Sequence, residues 1–123
     1  MFEELNIVNQ SNNKLWRVDA SQFPYANISE LKYGKTYMVC GIYMYRGTNN
    51  NSIKSHGILS IIDIDTNEGF RVNLPVRYNH LVKQITSVDK YKNGINEEKC
   101  GVIFSAGVTK QGQDCYNVKL VDL

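Results

Sequence analysis

The chain has 123 residues, which argues for one domain, and 42% of them are hydrophobic, enough for a core and too many for wholesale disorder. The formal net charge is only +2, so any nucleic-acid footprint has to come from how the charges are arranged. Cys40, Cys100 and Cys115 form no CxxC pair, and two histidines cannot complete a zinc pattern; the odd cysteine count fits a reducing compartment.

The opening "MFEELNIVNQSNN" has no apolar stretch of the secretory kind, and no run approaches membrane-spanning length, which predicts a cytoplasmic chain without a membrane partner. Residues 1–30 read as an N-terminal arm or hairpin packed on a second unit, 31–123, within one domain overall. "LNIV" (5–8) and "LWRV" (15–18) are its candidate short strands. Ser29-Glu30-Leu31 can form a single turn, and Gly34 can supply a positive φ before the first long strand, Thr36 to Arg46. Gly41 sits in the middle of that strand, where glycine marks a bulge or a bend. Beyond it Ile42 and Met44 point one way, and Tyr43 and Tyr45 the other. A bulge would reverse the facing of Tyr37.

The polar segment with Asn49–Asn51, Lys54 and His56 reads as the loop to a second strand, 57–65. "TNEG" (66–69) is a turn, and the third strand, 70–75, sets Phe70, Val72 and Leu74 on one face with Arg71 and Asn73 on the other. Pro75 ends that strand and suits the first turn of a helix. Tyr78, Leu81, Val82, Ile85 and Val88 then recur at helical spacing, with Asn93-Gly94 as the stop. "GVIFSAGV" (101–108), the turn "TKQGQD" and "CYNVKLVDL" (115–123) form a closing hairpin. Three strands, one helical segment between strands three and four, then two strands is the layout of an OB-fold, a mainly β, five-stranded Greek-key barrel.

From Leu31 through Ile62 there is no acidic residue, yet this stretch holds Lys32, Lys35, Arg46, Lys54, His56 and four of the eight tyrosines. Such a segment suits single-stranded nucleic acid. Unpaired bases stack on aromatic rings, and Lys and Arg neutralise phosphates. The sites expected are Tyr43, Tyr45, Arg46, Lys54, His56, Arg71 and Asn73, with Lys110 from the last loop. Packing is the alternative for every ring, since tyrosine favours strands anyway. It is the preferred reading for Tyr33, Tyr116 and Trp16.

Asp63, Asp65 and Glu68 are better explained as an acidic hairpin turn than as a metal site, because the EF-hand pattern is missing. No nucleophile accompanies His56 or His80, and neither a P-loop nor GxGxxG occurs. The sequence therefore predicts no catalytic residue, no metal and no cofactor.

"SQFPYANISELKYGKTYMVCGIYM", "FRVNLPVRYNHLVKQI" and "INEEKCGVIFSAGVTKQGQDCYNVKLVDL" together resemble the small single-stranded DNA-binding proteins of phages of Gram-positive bacteria, of the lactococcal phage type. The resemblance covers about residues 21–123. It implies an OB-fold that coats single-stranded DNA in phage replication and recombination, in the host cytoplasm, as a homodimer or higher homo-oligomer. It also implies work beside an annealing protein or a RecA-like recombinase. Tyr43, Tyr45, Arg71 and Asn73 match its outward positions, whereas Ser105 and Gly107 stand where relatives are expected to carry outward aromatics. A protein-interaction OB module, an RNA-binding protein and a small nuclease are the rival readings.

Overall fold

A computed structural model of the chain describes residues 16–45 and 55–123. The fold is mainly β: strands β1 (Tyr25–Ala26), β2 (Thr36–Tyr45), β3 (His56–Ile62), β4 (Gly69–Asn73), β5 (Cys100–Val108) and β6 (Asp114–Asp122) form one mixed sheet in the order β1-β4-β3-β2-β5-β6. The five predicted strands are present, but the five-stranded expectation is corrected by β1, which pairs parallel with β4 through Tyr25–Arg71 and Ala26–Val72. "LWRV" is not a strand where it is described: residues 16–18 form bends.

The long strand β2 owes its shape to one extra residue. Val39 pairs with Ile61 and Gly41 with Ser60, so Cys40 is the bulge. Before it, Tyr37 and Val39 face the core; after it, Ile42 does. The facing of Tyr37 is thus reversed. Its ring packs against Phe104 at 6.0 Å, and its hydroxyl accepts the backbone N–H of Lys32 at 3.0 Å. Gly34 takes the expected positive φ, 78°, and a 3-10 turn at Ile28–Glu30 realises the predicted single turn.

Strand β3 is shorter than predicted at its far end and longer at its start. His56 belongs to the strand rather than to the loop. At the other end Asp63 leaves the strand because its backbone closes the turn, N–H to Glu68 O at 2.8 Å, with Asn67 at φ 62°.

The single helical segment resolves into two helices. Pro75 precedes a 3-10 turn, Val76–Tyr78, which runs into α1 (Asn79–Ser87); α2 covers Asp89–Asn96. Val88 continues the apolar spacing but is extended, φ −116° and ψ 118°, and separates the two. Asp89 then opens α2, where an acid complements the helix N-terminus. Gly94 is not the stop. The helix passes through it, and Glu98, at φ 63°, turns the chain while Lys99 N–H returns to Gly94 O at 2.9 Å.

The core lies between the inner sheet face and these helices, with Val39, Leu59, Val72, Val82, Val102 and Phe104 fully buried. The sheet curls strongly. Its edges, β1 and β6, are not paired to each other, but the turn after β4 reaches β6: Val118 N–H donates to the Tyr78 hydroxyl at 2.9 Å. Arg77 donates to Tyr116 O and to Asn117 Oδ1, the latter at 2.9 Å. Among the described residues no helix is long and apolar enough to cross a membrane.

Candidate functional site

The outer face of β2, β3, β4 and β1 gathers the polar and aromatic side chains that the alternation excludes from the core. Register sets them in rows. Tyr45 pairs with His56; Tyr43 with Ile58 and through it Asn73; Gly41 with Ser60, then Arg71, then Tyr25. Tyr25, Tyr43 and Tyr45 are 53%, 37% and 38% exposed, so each keeps ring surface for a ligand. Between Tyr43 and Asn73 lies Ile58, only 2% exposed and outside the main core cluster. It is an apolar floor to this face.

Arg71 is held rather than loose. Its Nε donates to Phe23 O at 2.7 Å, and its guanidinium stands 4.2 Å from the centre of the Tyr25 ring. Fixed by both, it remains a cation on an aromatic face. Burial, and then the neighbouring Tyr25 hydroxyl, push the Tyr43 phenol above its usual value, with Arg71 pulling the other way. Tyr43 is therefore a neutral ring with a hydrogen-bonding tip at physiological pH. His56 lies against Tyr45, ring centres 5.2 Å apart, and its Nε2 is 2.9 Å from Asn73 Oδ1.

The segment before β1 walls one end of this face. Trp16 ring atoms lie 3.3 Å from where a β-carbon on Gly41 would stand, so the bare glycine lets the indole approach the strand. Trp16, Asp19, Gly41, Tyr43, Ser60 and Arg71 contribute to a pocket of about 510 Å³. Asp19 makes that end less cationic than Arg71 alone would.

At the opposite end the curl of the sheet matters. Tyr116 of β6 is two strands beyond β2 in the sheet order, yet it lines the same 450 Å³ cleft as Asn73 and Asn27. Exposed Tyr116 thus faces the end of β4, and the packing role expected for it is not its only surface.

Of the residues expected from sequence, Tyr43, Tyr45, His56, Arg71 and Asn73 come together on this face. Lys110 sits exposed in the turn between β5 and β6, and among the described residues no hydrogen bond or ion pair ties it to the cluster. Arg46 and Lys54 lie outside the described residues. Tyr25 was not anticipated, because a two-residue strand carries no alternation. Strand β5 carries no outward ring: Ser105 is exposed, and at Gly107 the space for a side chain is taken. A β-carbon there would stand 2.8 Å from Asn117 Nδ2, and Asn117 is engaged by Arg77.

The basic segment also loses one of its cations. Lys35 Nζ lies 2.8 Å from Asp63 and 3.1 Å from Asp65, so the acidic turn folds back onto it. These bonds raise the Lys35 pKa; the Lys35 bond first, and backbone N–H groups after it, lower that of Asp63. Asp63 and Asp65 are spent on a lysine. Among the described residues no group of three His, Cys, Asp or Glu side chains is placed to hold a metal.

All three cysteines are free. Burial pushes the thiols of Cys40 and Cys100 up to about 11, which keeps both protonated and poorly nucleophilic at neutral pH. The outer face can therefore stack planar groups, donate hydrogen bonds and attract anions.

Compared with known proteins, the chain matches no family model, no curated protein and no solved structure.

Proposed function

We propose that this protein is an OB-type barrel that binds single-stranded DNA on the outer face of β1–β4, with little sequence preference and no chemistry of its own. The observation that carries this reading is that exposed Tyr25, Tyr43 and Tyr45 share one face with an Arg71 fixed against the Tyr25 ring. The strand order adds support. Predicted strands one, two and three are adjacent, strand four lies on the other side of strand one, and a side-chain seam joins strand five to the turn after strand three. That is how a Greek-key barrel with one unzipped seam is laid out.

Spacing favours a single strand over a duplex. Tyr43 and Tyr45 are two residues apart on one strand, hence about 7 Å. Stacked bases of a duplex strand rise about 3.4 Å. Consecutive bases can occupy both rings only when they are pulled apart from one another.

The test is a titration of single-stranded DNA, duplex DNA and RNA of equal length at several salt concentrations. The expected result is tight binding of single-stranded DNA, weak binding of duplex, and a log–log salt slope of roughly −0.7 per phosphate neutralised. A flat salt response, or equal binding of duplex, would sink the reading. A homo-oligomer acting beside an annealing protein or a recombinase belongs to the same proposal, through its likeness to phage single-stranded DNA-binding proteins. Light scattering of the free protein and of its DNA complex tests the oligomer.

A further inference from the structure

We infer that Asn73 makes this face prefer keto bases, thymine and guanine, over the amino bases cytosine and adenine; the inference rests on the single-strand reading above. Asn73 is exposed on the outer face of β4. Its Oδ1 is 2.9 Å from His56 Nε2. A carbonyl oxygen only accepts, so the ring nitrogen carries the hydrogen and donates it. The amide is thereby oriented: its oxygen faces His56, and its NH₂ faces away. No described residue receives a hydrogen bond from that NH₂.

The row geometry places this donor where a base edge would lie. Tyr43, Ile58 and Asn73 are lateral neighbours on three adjacent strands. Two strand spacings separate Tyr43 from Asn73, about 10 Å. A base stacked on Tyr43 and lying over the buried Ile58 presents its edge to Asn73. Thymine O4 and guanine O6 accept from an amide NH₂, whereas cytosine N4 and adenine N6 present further donors. Two donors face to face leave one hydrogen bond unmade, and the net value of such a bond corresponds to about two- to tenfold in affinity.

His56 is the positioning residue of this pair.

The experiment is fluorescence anisotropy with equal-length oligo-dT, oligo-dU and oligo-dC. All are pyrimidines, so differences in self-stacking stay small. With the native protein, dT and dU should bind about two- to tenfold more tightly than dC. Asn73→Ala should bring the dT/dC ratio close to one. Asn73→Asp, which accepts only, should carry it below one. A wild-type ratio of one overturns the inference while leaving single-strand binding intact. A dU affinity equal to that of dC also overturns it, because the thymine methyl would then be what is recognised. A ratio unchanged in Asn73→Ala would assign the preference to another residue. Failure to bind any of the three overturns the single-strand reading itself. The wild-type arm needs no variant to fold.

Discussion

Removing the Tyr43 ring is the most direct perturbation of the outer face. The side chain is 37% exposed, so its own neighbours cover most of it while part of the ring stays available. Tyr43→Ala removes a stacking partner, which costs about 1–3 kcal/mol of binding, or roughly five- to 150-fold in affinity. The same substitution removes a phenol that interacts with Tyr25 and Arg71, and the cover over Ile58. Aromatic-to-alanine changes in a core cost about 3–5 kcal/mol. Tyr43 lies on the solvent side of the sheet and is already part exposed, so about 1–2 kcal/mol is expected from lost apolar cover. Tyr43→Phe keeps the ring, and should hold both affinity and stability close to wild type. Anisotropy titration with a single-stranded oligonucleotide and urea unfolding measure the two quantities separately. The reasoning is refuted if Tyr43→Ala loses stability yet binds as the native protein does, since Tyr43 would then be a packing residue only.

Gly57→Ala should destabilise the fold by about 1–3 kcal/mol through overpacking. The new β-carbon would stand 2.5 Å from Cγ2 of Val82, a buried residue of α1, and an unchanged urea midpoint would contradict this. The Lys35–Asp63 pair should shape the acid limb of stability. A carboxyl with a lowered folded pKa contributes above its ordinary value and loses that contribution as pH falls through the folded one. The stability gap between the native protein and Asp63→Asn should therefore be full near neutrality and close on acidification. A gap that stays constant down to about pH 2, below the ordinary carboxylate range, would show that the ion pair is not its source.

Much of this arrangement could be read from residue alternation. Phe70, Val72 and Leu74 against Arg71 and Asn73, and Ile42 against Tyr43, are period-two signals, and a half-buried sheet enforces them. Gly41 pointed to an irregularity in this strand, and the bulge falls on the residue before it, Cys40. What stayed hidden was set by contacts distant in sequence. Tyr25 joins the face through parallel pairing with Arg71, and two residues are too few to alternate. Lys35 meets Asp63 across 28 positions, so a segment that is basic along the chain is partly neutral in space. Val88 kept the helical spacing of its neighbours while its backbone became extended; a β-branched residue at a junction carries both signals at once. Tyr116 reaches the cleft beside Asn73 only because the sheet curls, which no local pattern encodes.

The bulge at Cys40 divides β2 by parity. Before it, the odd-numbered Tyr37 and Val39 serve the interior; after it, the odd-numbered Tyr43 and Tyr45 serve the exterior. One strand thus carries two reading frames of facing, and a single residue is the frameshift between them. Losing that residue would exchange the roles of tyrosine and aliphatic along half the strand without altering any side chain's chemistry. The outer face is specified by where its rings fall in the count as much as by which rings they are.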